Sequence, residues 1–361
     1  MWPPVGRRLG CGGVRAIMSL YPRTYAGKKG ETVSAANKER GRSWPVRAST
    51  RAFYREGKRV PGYSFLDWLH GYVYARWPYL YIGVATGEHP LTGWLSPVVA
   101  LLSKLFWSGH KEGGGETDVG VAFADAYHGK VMPVESAKRL ISVNQAIELR
   151  DLERVLPYTQ AKDILLQDPD HIVVLDCPCR SSRKEPCLPL DVCLIVGEPF
   201  ASFVAEHHKN RSRWIDQQEA VEILEAEHDR GHVHHAFFKD AMLGRYYAIC
   251  NCCSCCCGAM QAQQAGTPML ASSGYVSRVQ PEKCRGCGDC AEVCPFDAIS
   301  VRDELSRVDT DACMGCGVCV SKCEQGALSL VRDPSKGEPL EIAALLKAAA
   351  NGEDGIRVAS V

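Results

Sequence analysis

The 361-residue chain has no excess of charge, 42 basic side chains against 42 acidic ones. No global field therefore steers it towards nucleic acid, and no nucleic-acid partner is expected. It also has no phosphate-cradling G-x-x-x-x-G-K-[ST] loop, no G-x-G-x-x-G after a strand-like run and no G-x-S-x-G elbow. These gaps weaken any reading in which the chain itself uses NAD or ATP. Long apolar runs are missing as well. The stretch from Leu91 to Trp107 is 17 residues long and contains Pro97 and Lys104. A membrane span needs about 20 apolar residues.

Cysteine is what the sequence has in quantity, with 19 in all. Their grouping as CxC, CxxC and CCC argues for thiolates that bind metal in a reducing cytoplasm, not for a disulfide scaffold. An anaerobic or microaerobic setting is the matching expectation. Cys11 stands alone and reads as a non-ligand.

Cys284, Cys287, Cys290 and Cys294 form a C-x2-C-x2-C-x3-C run followed by Pro295. Cys313, Cys316, Cys319 and Cys323 repeat it 29 residues later, with Glu324 where a second proline would stand. Ala298-Ile299-Ser300-Val301 is answered by Ala327-Leu328-Ser329-Leu330. Two-residue gaps let a tight loop wrap three thiolates round one corner of a cube, and the interleaved glycines permit φ > 0. In such duplicated runs the fourth cysteine ligates the other cluster. That assigns Cys284, Cys287, Cys290 and Cys323 to one 4Fe-4S cluster, and Cys313, Cys316, Cys319 and Cys294 to a second. Residues 275–332 resemble the bacterial-type two-cluster 4Fe-4S ferredoxins.

The second constellation is Cys177, Cys179, Cys187 and Cys193, then Cys250, Cys252, Cys253, Cys255, Cys256 and Cys257. Adjacent residues of an extended chain face opposite ways, so Cys252 to Cys257 cannot all serve one metal. The expected ligand pool joins Cys177, Cys179, Cys187 or Cys193 to Cys250, Cys252, Cys253, Cys256 or Cys257. The cofactor expected there is a third iron–sulfur cluster, with zinc as the alternative, and Arg180 is placed to lend it charge. The D-C-P-C-R … C-N-C-C-S-C-C-C layout ahead of two ferredoxin repeats resembles an uncharacterised cysteine-rich 4Fe-4S-binding family. That resemblance spans about 125–332 and implies electron transfer without a settled reaction.

The expected fold class is α+β: a cysteine-rich α+β domain followed by a ferredoxin-like two-cluster domain. Residues 1–60 carry 14 Lys/Arg against three acidic residues, read as a disordered basic N-terminus, and leave the remainder net negative by 11. Residues 61–116 read as an aromatic helical segment and a glycine-rich linker. Its helices either pack on the protein's own core or dock on a membrane surface through 61–107. Residues 117–270 form the cysteine-rich domain, 271–335 the ferredoxin domain, and 336–361 a C-terminal helix and tail. Within 117–270, Leu152–Leu166 shows helical spacing ended by Asp168-Pro169-Asp170. Ile172–Leu175 and Val192–Val196 read as strands, Asp216 caps an acidic helix, and 232–238 with 245–250 form a hairpin. His232 and His234 share one strand face as a possible ligand or proton relay. His207-His208 reads as a cation at a helix end. The functional expectation is a cytoplasmic electron-transfer protein serving a redox partner, or alternatively an oxidoreductase with a catalytic central cluster fed by the ferredoxin half.

Overall fold

The computed structural model describes residues 46–90, 92–93, 124–150, 152, 154–158 and 160–350. Leu91, residues 94–107 and the glycine-rich linker, and with them the docking reading of that run, lie outside the described residues. Among the described residues no helix is long and apolar enough to cross a membrane.

Helix and strand content is mixed. The centre is an eight-stranded sheet built from β1 (Tyr127–Met132), β2 (Ile147–Leu149), β3 (Ile164–Asp176), β4 (Asp191–Glu198), β5 (Ser212–Ile215), β6 (Val233–Lys239), β7 (Arg245–Cys252) and β8 (Leu270–Ala271). Its order is β2-β3-β4-β7-β6-β1-β8, with β5 also on β3. All its pairs are antiparallel except β1 with β8. The middle strands are apolar on both faces, because helices cover both. Ile172, Val173, Leu194 and Ile249 are each fully buried.

The helices Phe65–Arg76, Pro78–Ala85 and Phe200–His207 cover one face, and Val134–Ile141 and Gln217–Asp229 the other. Asp216 accepts from the Glu219 N–H at 2.8 Å and so starts the acidic helix where its capping pattern places it. Ser64 and Asp67 form a capping box at the head of Phe65–Arg76. Tyr74 and Tyr79 of this segment point inward, whereas Phe65 and Trp77 are exposed. The Tyr74 hydroxyl meets that of Tyr247 at 2.7 Å, and Tyr79 donates to the Asp176 carbonyl at 3.1 Å. The inner side of the described part of the segment therefore packs on the core, and Phe65, Leu66, Trp77 and Leu80 stay exposed.

Two expectations fail. The helical reading of Leu152–Leu166 is wrong, since Ile164–Leu166 opens β3 and pairs with β2. Asp168-Pro169-Asp170 does not end an element. It is absorbed as a register shift inside β3, with Asp168 at φ +50°. Pairing with the neighbouring strand overrides the local spacing. Residues 1–60 are not wholly disordered either: Ala48–Gly57 is a helix whose Phe53 is fully buried against Phe200 and Phe203.

The C-terminal part adds two small antiparallel pairs, β9 (Tyr275–Val279) with β12 (Leu328–Arg332), and β10 (Ile299–Arg302) with β11 (Leu305–Val308). The two cysteine runs lie on loops and short helices between these strands. Val318, fully buried, and Cys316 belong to the same apolar core as the central sheet. The Lys322 ammonium also donates to the Asp229 carbonyl at 2.6 Å.

Candidate metal centres

Each cysteine run is folded so that backbone N–H groups reach sulfur. Ser306 N–H points at Cys284 Sγ (3.5 Å), Ser277 N–H at Cys313 Sγ (3.4 Å), Ala298 N–H at Cys294 Sγ (3.3 Å) and Ala327 N–H at Cys323 Sγ (3.3 Å). Such bonds favour the thiolate, and they pull the Cys284 thiol below its ordinary range, led by the Ser306 N–H and then that of Gly286. Gly286 (φ +61°) and Gly315 (φ +65°) let the loops turn against backbone. A Cβ on either would strike the carbonyl of Glu304 or Tyr275 respectively. Cys290 and Cys319 are buried in one apolar cluster, with Cys294 and Cys323 packed on it. Cys294 also packs beside Cys313 in a second cluster. The donor set, soft sulfur wrapped in N–H groups and apolar side chains, fits cubane clusters.

Residues 277–324 match the family model of the 4Fe-4S dicluster domain. The match indicates 4Fe-4S cluster binding by this segment. No curated protein matches the chain.

Ser277 and Ser306, both buried, stand beside the dicluster sulfurs, which the cysteine count did not reveal. In the dicluster segment Ser306 Oγ lies 3.2 Å from Cys290 Sγ and 3.6 Å from Cys284 Sγ. Ser277 Oγ takes the equivalent place, 3.4 Å from Cys319 Sγ. The signal was in the sequence: Val276-Ser277-Arg278-Val279 is answered by Leu305-Ser306-Arg307-Val308 at the same 29-residue offset. A hydroxyl aimed at a sulfur favours the more negative, reduced form of a bound cluster. Ser306→Ala is therefore expected to lower one reduction potential by roughly 40 mV, the one-electron equivalent of about 1 kcal/mol of hydrogen bond. Ser277→Ala should act on the other. Protein-film voltammetry checks both, and an unchanged potential would mean that the hydroxyl contributes packing alone.

The central thiols are gathered by strand register. Cys193 stands opposite Leu175 on one side and Cys250 on the other, and Cys250 stands opposite His235. Paired residues point to the same face, so Cys193 and Cys250 share the face covered by the aromatic helices. Cys252 lies two residues further along that face, and Cys177 follows Leu175 by two. Thiol contacts then run from Cys250 to Cys193 (4.0 Å), on to Cys177, Cys179 and Cys257, and end at Cys252. These six thiols, with Cys253, line a partly open, mainly apolar cavity of about 80 Å³ that Tyr74, Pro78 and Ile82 also line. Cys177 is pushed up to about 12, first by its hydrogen bond to Cys179 and then by burial. Gly258 N–H and Met260 N–H are directed at Cys179 and Cys257.

Cys187, Cys253, Cys255 and Cys256 form a different group, with all four sulfurs within 4.8 Å of one another. The pool read from the sequence was thus one set, without Cys255, where the fold makes two groups. Alternation along an extended chain was the faulty premise. Residues 253–257 are a turn closed by Cys257 N–H to the Cys253 carbonyl at 3.0 Å, so Cys253, Cys255 and Cys256 converge.

Arg180 sits next to the cavity, 1% exposed, and is held by charge and hydrogen bonds rather than free to meet a ligand. It donates to Glu227 Oε2 (2.5 Å), the Asn251 carbonyl (2.9 Å) and the Pro189 carbonyl (2.6 Å). His232 Nδ1 lies 2.6 Å from the same Glu227 oxygen. His232 and His234 do share a face, away from the thiols: His234 Nδ1 meets Asn251 Oδ1 at 2.6 Å. His207 and His208 are not helix-end cations. Burial pulls His207 down to about 4 and lowers His208 as well, and His208 Nε2 lies 2.8 Å from the Ala75 carbonyl.

Proposed function

We propose that this chain is an iron–sulfur electron-transfer protein with two 4Fe-4S clusters in its dicluster segment. Cys284, Cys287, Cys290 and Cys323 hold one, and Cys313, Cys316, Cys319 and Cys294 the other. A third iron–sulfur site lies in the six-thiol cavity, held by four from among Cys177, Cys179, Cys193, Cys250, Cys252 and Cys257. When bound, such clusters take up and release single electrons. The observation that carries the reading is the asymmetry of the segment. Cys287 is exposed, whereas Cys316 is buried in the apolar core that also contains the cavity thiols Cys177, Cys193, Cys252 and Cys257. One end therefore faces solvent, where a redox partner docks, and the other faces the central domain.

The thiol cavity fits a cluster by its chemistry. It supplies more sulfurs than a cubane needs, two backbone N–H donors, and a lining of aromatic and aliphatic side chains. This surplus of sulfur favours a carrier with every iron thiolate-ligated over a catalytic centre with an open position. Carbon monoxide or cyanide altering the spectrum of the reduced protein would reverse that preference.

Iron and sulfide analysis with EPR, on protein purified without oxygen, tests the assignment. Cys179→Ser and Cys252→Ser are each expected to lower iron by about a third of the total while both dicluster signals survive. They should also lower the melting temperature, because ligand binding energy becomes folding energy. Full iron and parental melting in both variants would remove the third site and leave a two-cluster protein.

A further inference from the structure

We propose that the cleft beside the Pro78–Ala85 helix is a binding site for a small phosphate ester, a compact dianion on an organic body, separate from the cysteine sites. Its charge is unbalanced. Arg47, Arg76, Lys209 and Arg211 all line this open cleft of about 750 Å³. A volume of that order takes an organic molecule rather than a bare ion. Of the described lining residues two are acidic, and both are engaged. Arg183 pairs with Glu88 at 2.5 Å, and Ser49 N–H donates to Glu206 Oε2 at 3.0 Å. Among the described residues neither Arg76 nor Lys209 forms an ion pair with a carboxylate.

The cations are held in a form that suits a phosphate. The Arg76 guanidinium lies 5.3 Å from the Trp77 ring centre, and that of Arg211 4.2 Å from the Tyr79 ring centre. A guanidinium resting on an aromatic face keeps its N–H edge free for a bidentate bond to an oxyanion. Three guanidiniums act on one helix end, at His207-His208. Burial lowers both histidines first. Arg47 and Arg76 add to the fall at His207, and Arg76 and Arg211 at His208. Like charges gathered in this way repel one another, and a bound dianion removes that repulsion. Tyr79 and Leu80 stand in the first turn of Pro78–Ala85, which no side chain caps, so the positive end of that helix adds to the field. Trp77 and Leu80, both exposed, give the organic part an apolar wall. The same helix turns Pro78 and Ile82 to the thiol cavity, so cleft and cavity take different faces of one helix. Nothing in the cleft depends on what fills that cavity.

Calorimetry on the full chain, purified without oxygen, tests this with glycerol 3-phosphate as the probe. A saturable one-site isotherm is expected, and Arg76→Gln and Lys209→Gln should each weaken binding roughly fivefold or more. Arg55, an exposed cation outside the cleft, supplies the control, and Arg55→Gln should leave the isotherm unchanged. Lys209 is exposed, so its variant keeps the test open should Arg76→Gln not fold. Phosphatidylglycerol vesicles identify the source of the phosphate. Cosedimentation that glycerol 3-phosphate competes away assigns the site to a lipid headgroup, and no cosedimentation assigns it to a soluble ester. No isotherm in the parent, an equal loss in Arg55→Gln, or inorganic sulfate binding as tightly as the ester would overturn the proposal.

Discussion

Cys316→Ala is expected to remove about half of the dicluster segment's iron and, in addition, to loosen the whole protein. The first effect follows from losing one of four thiolates on one cluster. The second follows from position. Cys316 and Val318 are built into the core of the central sheet, so a cluster lost at that end takes an inner anchor with it. Ligand binding energy lost is folding energy lost, and a cavity at a packed site adds roughly 1 kcal/mol or more. Cys287→Ala supplies the control: that side chain is exposed, so its variant should lose comparable iron with a much smaller fall in melting temperature. Iron analysis and thermal unfolding of the two variants side by side make the comparison. Equal melting of both would mean that the segment and the sheet are not mechanically joined.

The other large effect is expected at Arg180→Met. Arg180 and Glu227 are each 1% exposed, and Arg180 also satisfies the carbonyls of Pro189 and Asn251. Removing Arg180 leaves the buried Glu227 carboxylate with only the partly exposed Arg230 (Nη1 to Oε1, 2.9 Å) and His232, and breaking a buried pair costs about 3–5 kcal/mol. The pH dependence identifies the cause. Burial raises the Glu227 carboxyl, but the hydrogen bond from His232 and the charge of Arg180 outweigh it and hold the group down to about 2. A depressed carboxylate adds stability that is present above its ordinary value near 4 and is lost only as pH falls through about 2. Without Arg180, burial is left to dominate and the folded value rises above the ordinary one. The variant's deficit should then be largest at neutral pH and shrink as Glu227 takes up a proton on acidification. A deficit in melting temperature that is the same at pH 7.5 and pH 5 would show that His232 and Arg230 alone keep Glu227 ionised.

Much of the iron–sulfur chemistry was written in the spacing. A C-x2-C-x2-C-x3-C run dictates a loop conformation from within a dozen residues, so the ferredoxin half needed no long-range information. The same local logic placed the helix capped by Asp216, the hairpin at 232–250 and the strands entering Cys177 and Cys193. Ser277 and Ser306 were equally legible, since the 29-residue repeat extends to the strands that carry them.

The central thiols were different, because composition announced a metal site without saying how many. Cys187 meets Cys255 across 68 residues of sequence, and Cys193 meets Cys250 across 57. Only the register of β4 on β7 and the turn at 253–257 decide those meetings. The placement of Tyr74 and Tyr79 was decided the same way: composition alone left them to a surface or a core, and hydrogen bonds to Tyr247 and Asp176 turn them inward. Local spacing failed outright at Leu152–Leu166, where pairing of Ile164–Leu166 with β2 overrode a helical pattern. Sequence by itself thus determined the ligand type and the duplicated cluster-binding loops, which are properties of short segments. Tertiary structure alone decided the partition of ten central cysteines into a buried ring and a compact tetrad, because thiols far apart in the chain meet only where sheet register and loop closure bring them together.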